Sequence, residues 1–94
     1  MPTRVEVYEA VDTEREYQQL RWGTDGIDNG QHPVGSYLTL LDTYLRQAQD
    51  AWSTNVGNEP ALNAIRKVAG IAVACMEQNG APLRNLENVV PAGA

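Results

Sequence analysis

Cysteine occurs once in the 94 residues, so no disulfide can form within the chain. A domain this short buries a modest share of its surface, and oligomerisation is the common remedy where no disulfide helps. Cys75 lies in an apolar stretch with no histidine near it in sequence, and reads as a buried thiol in a reducing compartment. Positive charge is also scarce: 7 Lys and Arg stand against 12 Asp and Glu, giving a net charge of −5 and a pI near 4.6. Binding to a nucleic-acid polymer rests on many cationic contacts, so that partner is not expected, although a local pocket of two or three cations remains open. No run approaches the roughly 20 apolar residues of a membrane span, and M-P-T-R-V-E-V-Y has no apolar core of signal-peptide length. A soluble, cytoplasmic protein without membrane partners is expected. Strand patterning, internal repeats and long low-complexity tracts are missing as well, which leaves an all-α fold.

What is present is helical periodicity in three blocks, expected as one domain over 1–94. The first block runs over about 4–22, with Thr3 as N-cap and Gly23 as the stop. The loop T-D-G-I-D-N-G-Q-H-P follows and reads as a lid over a pocket. Asp25, Asp28 and Asn29 there do not have the spacing of a calcium-binding EF-hand loop. The second block covers about 33–52. Val34, Leu38, Leu41, Leu45, Ala48 and Trp52 repeat in a 3–4 pattern, widened by Tyr37, Leu40 and Tyr44, and the two tyrosines are expected in the core. The third block covers about 60–79, with Pro60 in its first turn, Gly80 as the C-terminal cap and Pro82 barring continuation. Its middle, Val68 to Met76, is apolar all round, so it should be enclosed by protein, and two other helices should not suffice to enclose it. Partner chains are therefore expected. The tail, 81–94, should fray, with Leu83, Leu86 and Val89 able to form a short docking turn.

Function is sought where polar residues fall on apolar faces. In E-R-E-Y-Q-Q-L-R-W-G, Glu14, Gln18 and Arg21 recur at helical spacing and continue the line of Val7 and Val11. Trp22 closes the segment. A carboxylate, an amide, a guanidinium and an indole gathered at one helix end suit a planar, charged small molecule such as a nucleotide. Arg66 and Lys67, just before the apolar run of the third helix, form a second polar group, and His32 stands at the entrance of the second helix. Each also has a plain alternative. Glu14 could pair with Arg21 or with Arg66, Arg66 and Lys67 could be a solvated turn, His32 could be a loop residue without a task, and both tryptophans could be core aromatics. Carboxylates spaced to converge on Mg²⁺ are lacking: Asp42 and Asp50 lie too far apart, and Glu59 and Glu77 sit at opposite ends of their helix. No Gly-rich phosphate loop, nucleophile elbow or Cys/His cluster occurs.

The order E-R-x-x-Q-x-x-R-W-G, a loop with H-P, a leucine-rich helix and an Ala/Val-rich helix ending in M-E resembles the small MazG-like nucleotide pyrophosphohydrolases, including versions carried by phages. The resemblance covers roughly Glu14 to Gly80. It implies a three-to-four-helix bundle completed by oligomerisation. In that family a Glu-Glu-x-x-Glu motif and a Glu-x-x-Asp motif hold Mg²⁺ for triphosphate cleavage. In this chain those carboxylates would fall at Thr43, Tyr44 and Gln47, near Asn63 or Ala64, and at Lys67. The ligands are replaced, and Arg46, Arg66 and Lys67 bring cations close by.

These readings together predict a non-hydrolysing nucleotide binder without a metal cofactor. It would act as a homo-oligomer and take a nucleotide or cyclic nucleotide through Gln18, Arg21, Trp22, His32, Arg66 and Lys67. The phage resemblance makes sequestration of a host signalling nucleotide in the host cytoplasm the expected use. Two alternatives stand beside it. One is a Mg²⁺-dependent pyrophosphohydrolase with ligands rearranged onto Glu14, Asp42 or Glu77; the other is a module that blocks a host protein.

Overall fold

The computed structural model describes residues 1–22, 31–87, 90 and 92. It contains three helices, α1 (Arg4–Trp22), α2 (Val34–Thr54) and α3 (Glu59–Asn79), and no strand among the described residues. Gly23, the expected lid loop with Asp25, Asp28 and Asn29, and Val89 lie outside the described residues.

The local sequence explains where each helix begins and ends. Thr3 opens α1 with a capping box: its Oγ1 accepts from the Glu6 backbone N–H at 3.2 Å, and its own N–H donates to Glu6 Oε1 at 3.3 Å. Two N–H groups left free by the first turn are satisfied in this way. Thr3→Ala should cost about 1 kcal/mol, read as a lower denaturation midpoint with an unchanged denaturant slope. An unchanged midpoint would show that α1 does not depend on its cap.

Helix α2 runs two residues past Trp52. Ser53 and Thr54 donate their hydroxyls to the carbonyls of Gln49 and Asp50, at 2.7 Å each, and Asn55 Nδ2 donates to the Ala51 carbonyl at 3.0 Å. Side chains that bond back one turn keep the last turn wound. Helix α3 ends where the Gly80 N–H bonds the Met76 carbonyl at 2.9 Å, with Gly80 at φ +119°, a conformation costly for any residue with a Cβ.

Helix α3 is the centre of the fold. Short residues 55–58 fold α2 back on it as an antiparallel hairpin, and α1 lies against another side of α3, while the backbones of α1 and α2 do not meet. The core is small. Tyr37, Ile71 and Ala74 are buried, and Trp22, Leu40, Leu41, Tyr44 and Cys75 pack around them half-buried. Tyr37 and Ile71 each contribute on the order of 2 kcal/mol through burial.

One expectation about apolar surface needs correcting. In α2 the apolar stripe is split: Ala48 is buried and Leu41 packs on the core, beside the expected core residues Tyr37 and Tyr44, whereas Val34, Leu38, Leu45 and Trp52 are exposed. A helix packed against one neighbour buries one narrow strip, and here that strip runs through Tyr37, Leu41, Tyr44 and Ala48. In α3 the apolar middle is enclosed by α1 and α2 only in part, because Ile71, Ala74 and Gly70 are buried whereas Val68, Ala69, Ala72 and Val73 are half-exposed and Met76 is exposed. The tail does not dock: Leu83 and Leu86 are exposed.

Candidate functional site

Helix α1 turns a polar face inward. Glu14, Arg15 and Gln18 are buried, and the apolar Val5, Tyr8 and Leu20 point out. Electrostatic pairing and hydrogen bonds therefore hold α1 on α3. Glu14 Oε1 accepts from Arg66 Nε at 3.0 Å, and Arg66 Nη1 also donates to Asn63 Oδ1 at 2.8 Å. Gln18 is fully buried; its Nε2 donates to the Lys67 carbonyl at 3.2 Å and more weakly to Glu14 Oε2 at 3.4 Å. Arg15 grips both carboxylate oxygens of Glu77, with Nε and Nη2 each at 3.1 Å. Such a two-pronged guanidinium contact fixes angle as well as distance.

Gly70 makes this close docking possible. A Cβ on Gly70 would stand 2.7 Å from Gln18 Nε2 and 3.0 Å from Gln18 Oε1. Gln18 Oε1 has no hydrogen-bond partner among the described residues, and it lies against the Gly70 backbone in place of a donor.

Two adjoining cavities open along this seam. One, about 340 Å³, is lined by Thr13, Glu14, Tyr17, Arg66 and Lys67. The other, about 220 Å³, is lined by Glu14, Tyr17, Arg21, Trp22, Tyr44 and Lys67. Lys67, the only lysine of the chain, borders both. Lys67 and Arg21 have no ion-pair partner among the described residues. Three cations and one carboxylate, flanked by Tyr17, Trp22 and Tyr44, form a locally positive, aromatic-walled site in an acidic chain.

The expected site residues separate under this geometry. Arg21, Trp22, Arg66 and Lys67 meet at the cavities. Gln18 lies beneath them as a structural tie and lines neither cavity. Arg66 borders the larger cavity while tied to Glu14 and Asn63, which realises the cross-helix pairing of Glu14 considered from sequence. His32 is elsewhere. Its backbone N–H donates to Gln78 Oε1 at 2.9 Å, its carbonyl accepts from Asn79, and its ring meets Tyr37 edge-on. Gln78 lies eleven residues beyond Lys67, roughly 16 Å along α3, so His32 lines neither cavity. Tyr44, expected only in the core, is also a cavity wall, and Thr13 and Tyr17 had given no sequence signal because polar or exposed helix residues look alike wherever they point.

The residues do not fit a Mg²⁺ centre of the kind the family resemblance implies. Lys67 places an ammonium at one such position, Tyr44 a phenol at another, and the Thr43 hydroxyl is turned to the Thr39 carbonyl at 3.2 Å. A hard divalent cation needs converging anionic oxygens. Glu14, Asp42 and Glu77, the carboxylates a rearranged centre would need, pair with three different arginines, Arg66, Arg46 and Arg15. No three His, Cys, Asp or Glu side chains converge among the described residues.

Comparison with protein-family models, with curated proteins and with solved structures finds no match to this chain. No helix among the described residues is long and apolar enough to cross a membrane.

Proposed function

We propose that the protein binds a nucleotide at the α1–α3 seam and does not hydrolyse it. The observation that carries this reading is the meeting of Arg21, Trp22, Tyr44 and Lys67 around one cavity, with Arg66 on its neighbour. An indole and two phenols offer flat faces to a base, and an ammonium and a guanidinium without an ion-pair partner among the described residues offer charge-assisted hydrogen bonds to phosphate. Tyr44 and Lys67 are two of the positions at which the MazG resemblance would set metal-binding carboxylates, and they border this cavity. The exchange of carboxylate for cation there supports direct phosphate contact in place of contact through Mg²⁺. Binding without turnover suits sequestration of a signalling nucleotide, the use that the phage resemblance suggests. The working form in this reading is a homo-oligomer.

Trp22 supplies the test. In a Trp52→Phe protein, the remaining indole should be quenched as a linear or cyclic nucleotide is added, and calorimetry should show matching heat. Neither quenching nor heat across mono-, di- and triphosphates and cyclic nucleotides would end the proposal. Release of pyrophosphate from a triphosphate with Mg²⁺ or Mn²⁺ would overturn its second half and restore the hydrolase.

A further inference from the structure

Among the described residues, Glu14 is the one acidic side chain lining the two seam cavities, and it borders both. Its carboxylate is 5% exposed, so water does little to solvate it. The two oxygens are served unequally. Oε1 accepts from Arg66 Nε at 3.0 Å. Oε2 has only the Gln18 amide, at 3.4 Å, a long contact for a carboxylate acceptor. An ionised carboxylate has room for about four hydrogen bonds. Lys67 lines the same two cavities yet makes no ion pair with Glu14. A buried, under-served acceptor therefore stands at the border of the cavities, with its charge already balanced by Arg66. What it lacks is a neutral donor.

We propose that Glu14 reads the sugar: its carboxylate accepts from the 2′-hydroxyl of a ribonucleotide, so the site takes ribonucleotides over 2′-deoxyribonucleotides. The inference rests on the nucleotide reading above and adds its sugar class. The order of groups along the seam places the ribose. Trp22 and Tyr44 wall the smaller cavity and not the larger, so the base belongs there. Lys67 borders both cavities and is the shared cation for phosphate, with Arg21 to one side and Arg66 to the other. Arg66 Nη2 has no partner among the described residues. Whichever guanidinium joins Lys67 at the phosphate, the ribose lies between Lys67 and Trp22, and Glu14 and Tyr17 are the residues that both cavities share with Lys67. A hydroxyl donates to Oε2 there without adding charge, whereas a phosphate oxygen at the same place would be repelled. A deoxyribose would cover Oε2 and give it no donor, leaving a charged acceptor desolvated and unmatched.

Calorimetry with matched ligands tests this without altering the protein. The probes are the adenine, guanine, cytosine and uracil ribonucleotides, as mono- and triphosphates and as 3′,5′-cyclic monophosphates, each beside its 2′-deoxy and 2′-deoxy-2′-fluoro forms. The ribonucleotide that binds should exceed its deoxy form by roughly 10- to 100-fold in affinity. The fluoro form offers no donor, and should bind as weakly as the deoxy form. Glu14→Gln, with its helix content checked by circular dichroism, should shrink the preference to a few fold, because a neutral amide oxygen is the weaker acceptor. Equal affinity of the ribo and deoxy forms overturns the inference and leaves the nucleotide site standing. A fluoro form that binds like the ribonucleotide also overturns it, since a cation would then be reading the sugar, as does a full preference retained in Glu14→Gln. Should Glu14→Gln fail to fold, the three sugar forms decide on the wild-type protein alone. Heat from no probe in any sugar form counts against the nucleotide reading itself.

Discussion

Gly70→Ala lowers the thermal midpoint by about 8–16 °C, from a net loss of about 2 kcal/mol. Alanine gains about 1 kcal/mol of helix propensity over glycine, so on an open face it would stabilise α3. At this position the new methyl meets the Gln18 amide at 2.7 Å, and Gln18 is fully buried, so the amide moves aside only by giving up its hydrogen bonds. Overpacking of this kind costs about 1–3 kcal/mol. Displacing Gln18 adds about 0.5–1.5 kcal/mol for each bond it loses to Glu14 and to the Lys67 carbonyl. The costs exceed the propensity gain. The same substitution in a Gln18→Ala background should be harmless, because the methyl enters vacated space, and the cycle should give a coupling of about 2 kcal/mol. Thermal melts followed by circular dichroism read all four proteins. Additive effects would mean that Gln18 and Gly70 do not support each other.

With the proposed nucleotide in the cavity, Lys67→Glu should weaken binding at least roughly 100-fold while leaving helix content unchanged. The Lys67 backbone carbonyl, which holds Gln18, survives the substitution, and its side chain is exposed and makes no ion pair among the described residues, so the fold loses little. The site loses its central cation and gains a second carboxylate beside Glu14. A charge-assisted contact is worth about 1.5–3 kcal/mol, and its replacement by repulsion raises the loss to about 3–4 kcal/mol, a weakening of roughly 100- to 1,000-fold. Lys67→Arg should retain most of the affinity for phosphate, since only charge and reach are asked of it. Calorimetry compares the two. Equal affinity in Lys67→Glu and wild type would remove the cavity from the function, and would favour a module that works through its protein surface.

The three helices were legible because their ends are written locally. The T-R-V-E box, Pro60 and Gly80 act within a turn of where they stand. The core row of α2 was less so. Tyr37 and Leu38 are one helical step apart, and both rows are apolar, so periodicity alone cannot say which one meets α3. The site was half legible. Glu14 and Gln18 stood out as polar residues on the apolar line of Val7 and Val11. Arg15 did not, because nothing marks it for burial except Glu77, 62 residues away. The place of His32 at the entrance of α2 does not say which end of α3 it meets, and only the hairpin register sets it beside Gln78 and Asn79.

Helix α1 meets the rest of the chain mainly through α3, with polar groups that water could satisfy if it left and with Trp22 half-buried against the core. The contacts between α2 and α3 do not run through it, so the first helix is expected to open as a unit at a lower free energy than the whole. Most of the cavity wall leaves with it. A ligand held between Arg21 and Lys67 then acts as a clasp: amide hydrogen exchange in residues 4–22 slows when the site fills, while exchange in α2 barely changes. Affinity for the ligand and attachment of α1 become one equilibrium seen from two sides.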